Sequence, residues 1–249
     1  MFTGFSEEAV QFLRELAVHD DKEWFEEHKK KHKKIYTEKL YRPMKELCGE
    51  LFVPYSKDAT MMSKAGRIYR DPNFPPYRRY REEMWLIIKH EAWNWSTTPS
   101  MFFELSAGGA VFGFKITHPT AATMNNFRQK ITTDEGDFLS LARRLRRRGF
   151  SIGGDEYKRP KPCPLPEAEE FFRKKSLTIT KSIAPSAELY SPSLAKDVAQ
   201  AFKAVFPVNE LFEELAAQAE AEKLAAKLTA QLEQESTPMP TAPKSDFMW

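Results

Sequence analysis

A chain of 249 residues and 28.8 kDa is long enough for one substantial hydrophobic core or two small ones, and has no need of disulfide staples. With 41% apolar, 29% charged and 13% aromatic residues, its composition is that of a folded protein, not a disordered one. The 38 Lys+Arg against 35 Asp+Glu leave a formal charge of +3, too small for its sign alone to indicate a polyanionic partner.

The longest strongly apolar run, Met84 to Ile88, falls far short of the roughly 20 residues of a spanning helix, so no membrane crossing is expected. The start, MFTGFSEE, turns charged at once and does not read as a secretory leader. Cys48 and Cys163 are the only cysteines and neither sits in a CxxC, which points to free thiols and a cytoplasmic location. Charge is unevenly distributed: residues 61–90 hold seven basic and three acidic groups, and residues 128–161 hold ten and five. The compensating acid lies mainly after residue 205. Two basic central segments form a positive cleft if the fold brings them together, and solvated faces if it does not.

SEEAVQFLRELAV reads as an amphipathic helix with Ser6 as N-cap. Asp20 and Asp21 end it and start a second, with Glu23 three residues after an Asp cap. That second helix is expected to run to about Leu51, bent or interrupted around Pro43. From about Met61 the period shortens, and MWLIIKHEAW, SMFFELSAG and AVFGFKIT read as strands. Their connections are too short for crossover helices, so an antiparallel meander is expected, with Gly108–Gly109 as a hairpin turn. AATMNNFRQKI and FLSLARRLRRRG then read as helices, the second stopped by Gly149. A turn at Gly153–Gly154, a helix PEAEEFFRKKS, a strand LTITKSIA and a helix from about Ser193 to Ala217 follow. The expected fold class is α+β, a single domain over residues 1–215 with a largely antiparallel sheet packed by helices. Residues 216–249 read as a helical extension and a mobile tail carrying Pro238, Pro240 and Pro243.

The densest chemistry lies in AGRIYRDPNFPPYRRYREEMW. Arg67 alternates with its neighbours as on a strand, while Asp71 and the prolines begin a loop that folds the next basic residues back. Guanidiniums at Arg67, Arg70 and Arg78 offer planar donors for carboxylate or phosphate, and Asp71 or Tyr77 is a weak candidate for handling a proton. The plain alternative is a loop locked by Arg70 and Asp71 with Tyr77 packed beneath it. GGDEYKRPKPCP presents Lys158 and Arg159 on an extended edge, either clamping an anion or anchoring a connection across the sheet. Arg128 is a polar candidate on a helix whose Met124 and Phe127 point to the core, with a solvated position as the alternative.

No metal site is expected. His28 and His32 have i, i+4 spacing but stand among lysines, His90-Glu-Ala-Trp-Asn is half of HExxH, and His118 suits a turn. No phosphate-binding loop, nucleophile elbow or dinucleotide signature occurs, and no cofactor is implied. The five arginines of RRLRRRGF suit phosphate contact, but no reading helix, zinc finger or RNP pair accompanies them, so nucleic acid ranks low as a partner.

FSEEAVQFLRELAVHDDKEWF, IYRD with the following PY–R, and YKRPKPCPLPEAEEFFRKKSLT occur in one order, and in this the chain resembles the DUF2461 family over about residues 3–215. By that resemblance Trp24–Phe25, Arg70–Asp71, Tyr77–Arg78, Arg128 and Lys158–Arg159 match the family's motifs. The connection between Arg70–Asp71 and Pro76–Tyr77 is shorter here and lacks an Arg and a Lys usual in the family, whose place Arg79 or Arg81 can take. The resemblance implies one α+β domain and no particular reaction. The expectation is a basic pocket built from Arg67, Arg70, Arg78, Arg128, Lys158 and Arg159 for a phosphate- or carboxylate-bearing small molecule. A noncatalytic protein-interaction module is the rival.

Overall fold

Ser6 opens the first helix, α1 (Glu7–Val18), its hydroxyl accepting the Ala9 N–H at 3.3 Å. Phe12, Leu13 and Leu16 line its buried face. The computed structural model describes residues 1–27, 29–91, 97–133 and 137–236. His28 and the prolines of the tail lie outside those residues, as does the end of the strand expected through Trp93.

Asp21, not Asp20, caps α2 (Lys22–Glu27), accepting the Trp24 N–H at 2.6 Å. After α3 (Lys29–Lys34) the chain widens into a π-helix over Ile35–Tyr41 before α4 (Arg42–Phe52). Pro43 sits in the first turn of α4, where its missing N–H costs nothing, so the interruption precedes the proline instead of centring on it.

Among the described residues six strands form one antiparallel sheet in the order β1-β2-β3-β4-β6-β5. They are β1 (Met61–Ala65), β2 (Glu83–His90), β3 (Ser100–Ser106), β4 (Gly109–Ile116), β5 (Ser151–Gly153) and β6 (Leu177–Ile183). The Gly108–Gly109 turn joins β3 to β4 as expected, and Gly109 has φ +112°. The short β5 was not legible, because three residues carry too little periodicity. Between β4 and β6 come α5 (Ala121–Thr133), α6 (Asp137–Arg147) and α7 (Glu169–Arg173), α7 shorter than the expected PEAEEFFRKKS helix because Pro166–Ala168 is a 3-10 turn. The last helix, α8 (Leu194–Ser236), is continuous through residue 215, where the expected domain boundary falls. Burial is what changes there: Leu215 and Ala219 are its last buried side chains.

Strand alternation sends Met84, Leu86 and Ile88, Met101, Phe103 and Leu105, and Phe112, Phe114 and Ile116 to one face, each 0–2% exposed. The helices lie on that face: Phe5 stacks on Phe103 at 5.8 Å, and Phe212 of α8 meets Phe114 at 5.5 Å. Burying each such side chain is worth roughly 1.5 to 3 kcal/mol. The opposite face carries Glu83 and Trp85, Phe102 and Glu104, and Gly113 and Lys115. That face is buried in part, at Ile87, Lys89, Ser100 and Phe102, while Glu83, Trp85, Glu104 and Lys115 are half-buried. No helix among the described residues is long and apolar enough to cross a membrane.

Candidate functional site

The segment between β1 and β2 folds back on itself, as its prolines and Asp71 led one to expect. Tyr69 bridges Tyr80, the Arg70 N–H donates to the Arg79 carbonyl at 2.8 Å, and the Arg81 N–H donates to the Ile68 carbonyl at 2.7 Å. Asp20 pins this fold-back by accepting the Arg79 and Tyr80 N–H groups at 2.9 and 3.0 Å. Phe25 of α2 stacks on Tyr80 at 4.9 Å, and Trp24 lies 4.2 Å from His32. Phe25 therefore fastens the loop to α2, while Trp24 ties α2 to α3. Tyr36, on the π-helix, meets Tyr69 edge-on, and burial pushes its hydroxyl up to about 12.

This fold-back carries Arg70 and Arg81 to the open sheet face. Arg70 Nη2 donates to Glu83 at 3.0 Å, while Arg70 Nε is buried without a hydrogen-bond acceptor among the described residues. Arg81 Nη1 is 3.9 Å from the same Glu83 oxygen, and its guanidinium lies 5.9 Å from the Trp85 ring. Burial and the neighbouring Arg70 lower the Arg81 pKa. Trp85 pairs with Glu104 across β2 and β3. Gly113, between Val111 and Lys115 on β4, projects no side chain on this face, so Lys115 can lie across it, its Nζ 4.2 Å from the Phe102 ring and 3.9 Å from Glu104. Burial raises the Glu104 pKa, with Lys115 opposing and Glu83 adding to the rise; burial likewise lowers that of Lys115. The result is three cations and two carboxylates on a floor of Trp85 and Phe102.

Such a cluster can hold an anion by charge-assisted hydrogen bonds, with Glu104 positioned to share a proton. Three of its members, Glu83, Glu104 and Lys115, were missed as site residues. On single strands they read as the solvated side of an alternating pattern, and only strand register makes them neighbours.

The other expected site residues go elsewhere. Arg67 lies beyond the end of β1, not on a strand, and is exposed. Arg78 is a helix cap: Nη2 donates to the Leu16 and Ala17 carbonyls at 2.9 and 3.1 Å, while Asp20 and Glu82 flank it. The last carbonyls of α1 have no helical donors, and a cation there also complements the helix dipole. Asp71 accepts the N–H and amide of Asn73 at 2.9 Å, closing its own turn. Tyr77 does not pack beneath the loop; it is 67% exposed with φ +62°.

Arg128 is neither a surface residue nor presented to a ligand. It is 4% exposed and donates to the Met124, Phe172 and Lys174 carbonyls at 3.0, 3.3 and 2.8 Å, with Asn125 Oδ1 at 3.2 Å. Tyr157 stacks beneath its guanidinium at 5.3 Å. Lys158 and Arg159 are exposed, and their segment is anchored by its neighbours, Tyr157 N–H to Arg173 and Lys161 Nζ to Asn125.

The three basic segments do not converge. Glu83, which holds Arg70, lies level with Ser106 and the Gly109 end of β4, whereas Lys174, which holds Arg128, precedes β6 at the Ile116 end. Seven residue steps of strand, roughly 23 Å, separate those levels.

Fold and cluster define an α+β protein whose helices cover one side of an antiparallel sheet and whose other side presents a half-buried group of charges. Within that class the chain belongs to the DUF2461 family, described as a conserved hypothetical protein: the family model matches residues 8–211. No curated protein matches the chain.

Proposed function

We propose that this is a cytoplasmic protein that binds a phosphate- or carboxylate-bearing small molecule on the open sheet face, through Arg70, Arg81 and Lys115. The observation that carries this reading is the gathering of three cations, Arg70, Arg81 and Lys115, around two carboxylates, Glu83 and Glu104. A bound anion balances the excess positive charge through charge-assisted hydrogen bonds. Arg81 from the same fold-back and Lys115 from β4 add charge, and Glu104 orients the ligand or exchanges a proton with it. The two thiols are unpaired, with Cys48 buried, which accords with a reducing compartment.

The test is calorimetric titration of a panel of phosphorylated and carboxylated metabolites into wild type, Arg70→Ala and Lys115→Ala. Saturable binding of one anion that weakens by roughly tenfold or more in both variants, with the fold retained, supports the site. Absence of anion binding, or binding indifferent to both changes, overturns it.

One observation favours the rival reading as a protein-interaction module. Phe74 and Tyr77, at the tip of the fold-back, are 66% and 67% exposed, an aromatic pair suited to docking a partner.

A further inference from the structure

The arginine-rich run of α6 is only partly neutralised. Arg143 pairs with Glu167 at 2.8 Å and Arg146 pairs with Glu170, so two guanidiniums are engaged by the segment around α7. Arg144 and Arg148, one turn apart, are in no ion pair among the described residues and line a cavity of about 1220 Å³. Lys181 of β6 and Lys203 of α8 also line it, so the cavity collects cations from three elements. Two carboxylates, Asp197 and Glu188, share the space and likewise form no ion pair among the described residues.

We infer that this cavity binds a polyol carrying more than one phosphate group. The i, i+4 spacing of Arg144, in the last turn of α6, and Arg148, just past its end, separates their Cα atoms by about 6 Å. Lys181 and Lys203 approach from the sheet and from another helix. A single phosphate ion leaves most of these cations unmet and most of the volume to water, whereas separated phosphates engage several. Asp197 and Glu188 repel phosphate, but they accept hydrogen bonds from hydroxyl groups, the use to which acidic residues are put beside sugar phosphates. Phe112 and Phe150, the aromatic residues of the lining, are 2% and 4% exposed and present no platform for stacking bases, which argues against a single-stranded nucleic acid.

This site is independent of the proposed one. Lys181 alternates with Leu177 and Ile179, which are buried on the helix-covered face, so the cavity lies on the opposite side of the sheet from Lys115.

The experiment is isothermal titration of fructose 1,6-bisphosphate, inositol hexakisphosphate and inorganic phosphate into four proteins. These are wild type, the double variant Arg144→Ala/Arg148→Ala, the double variant Arg143→Ala/Arg146→Ala, and Arg70→Ala. Saturable one-site binding of a polyol phosphate, stronger than that of inorganic phosphate, is expected in wild type. It should weaken by roughly tenfold or more in the Arg144/Arg148 variant and by less than about twofold in the other two. Lys203→Ala, exposed on α8, is expected to weaken it as well and provides a second reading should the double variant fail to fold. Failure of both polyol phosphates to saturate wild type overturns the inference. Equal losses in both double variants do so too, because they indicate diffuse surface charge. Loss in Arg70→Ala with the Arg144/Arg148 variant unaffected overturns this inference while supporting the sheet-face site.

Discussion

Arg70 and Glu83, thirteen residues apart, meet at 3.0 Å because the intervening loop doubles back and delivers a guanidinium to the first residue of β2. Glu83 thus stands between Arg70 and Arg81 and neutralises part of both. Glu83→Gln should therefore tighten anion binding several-fold while lowering stability by about 1 kcal/mol, the ordinary worth of a charged hydrogen bond. Titration of the anion and urea unfolding of the same variant check the two signs together. Weaker binding would mean that Glu83 holds the arginines in place and does not compete with the ligand.

Arg128→Met should destabilise the protein by about 3 to 5 kcal/mol. The substitution leaves the Phe172 and Lys174 carbonyls without their buried donor, and methionine restores only volume. Arg128→Lys should recover little, since one ammonium cannot reproduce the planar reach to three carbonyls. Urea denaturation midpoints at constant m-value measure both.

His90 faces Glu213 at 2.5 Å on one ring nitrogen and Asp58 at 3.3 Å on the other. Burial alone lowers its pKa, but the two carboxylates outweigh that and raise it. A raised histidine pKa means that the folded state holds the proton more tightly. Its stabilisation is complete below the unfolded value and is lost as pH rises through the folded one. Burial raises Glu213 and so opposes its charged form at higher pH as well, while buried Lys89 has a lowered pKa that acts only at much more alkaline pH. Asp58 is lowered chiefly by its hydrogen bonds from Thr60, so its contribution fades in acid. Melting temperatures of wild type and His90→Gln should differ more at pH 5.5 than at pH 8.5.

Gly109→Ala should cost about 2 kcal/mol or more. Gly109 has φ +112°, and a Cβ there would collide with the Ile183 carbonyl across the β4–β6 pairing. Thermal unfolding of the variant beside Gly49→Ala, where an added Cβ meets nothing within 4 Å, separates strain from the change of residue.

Truncation after Glu222 should leave the unfolding free energy within about 1 kcal/mol of the full chain. Leu224, Leu228 and Leu232 are 52–66% exposed, and residues 223–232 bury no side chain in the core. Chemical denaturation of the shortened protein decides it.

The elements were legible where physical chemistry is local. Ser6 capped α1, the alternation of MWLII and MFFEL marked strands, the short connections specified an antiparallel meander, and Gly109 its hairpin. Local chemistry also made the fold-back of Tyr69 to Arg81 readable from its prolines and Asp71.

Composition at the start allowed one core or two and a near-neutral charge. The order of strands and helices by itself determined an α+β fold in one domain. Which charges meet was decided only by the tertiary structure, because a guanidinium takes whatever acceptor the fold places within reach. Arg128 found three buried carbonyls, Arg78 the open end of α1, and Arg70 a glutamate on the sheet face opposite the main core. Glu104 and Lys115 became partners through register alone, a relation that no pattern within either strand contains.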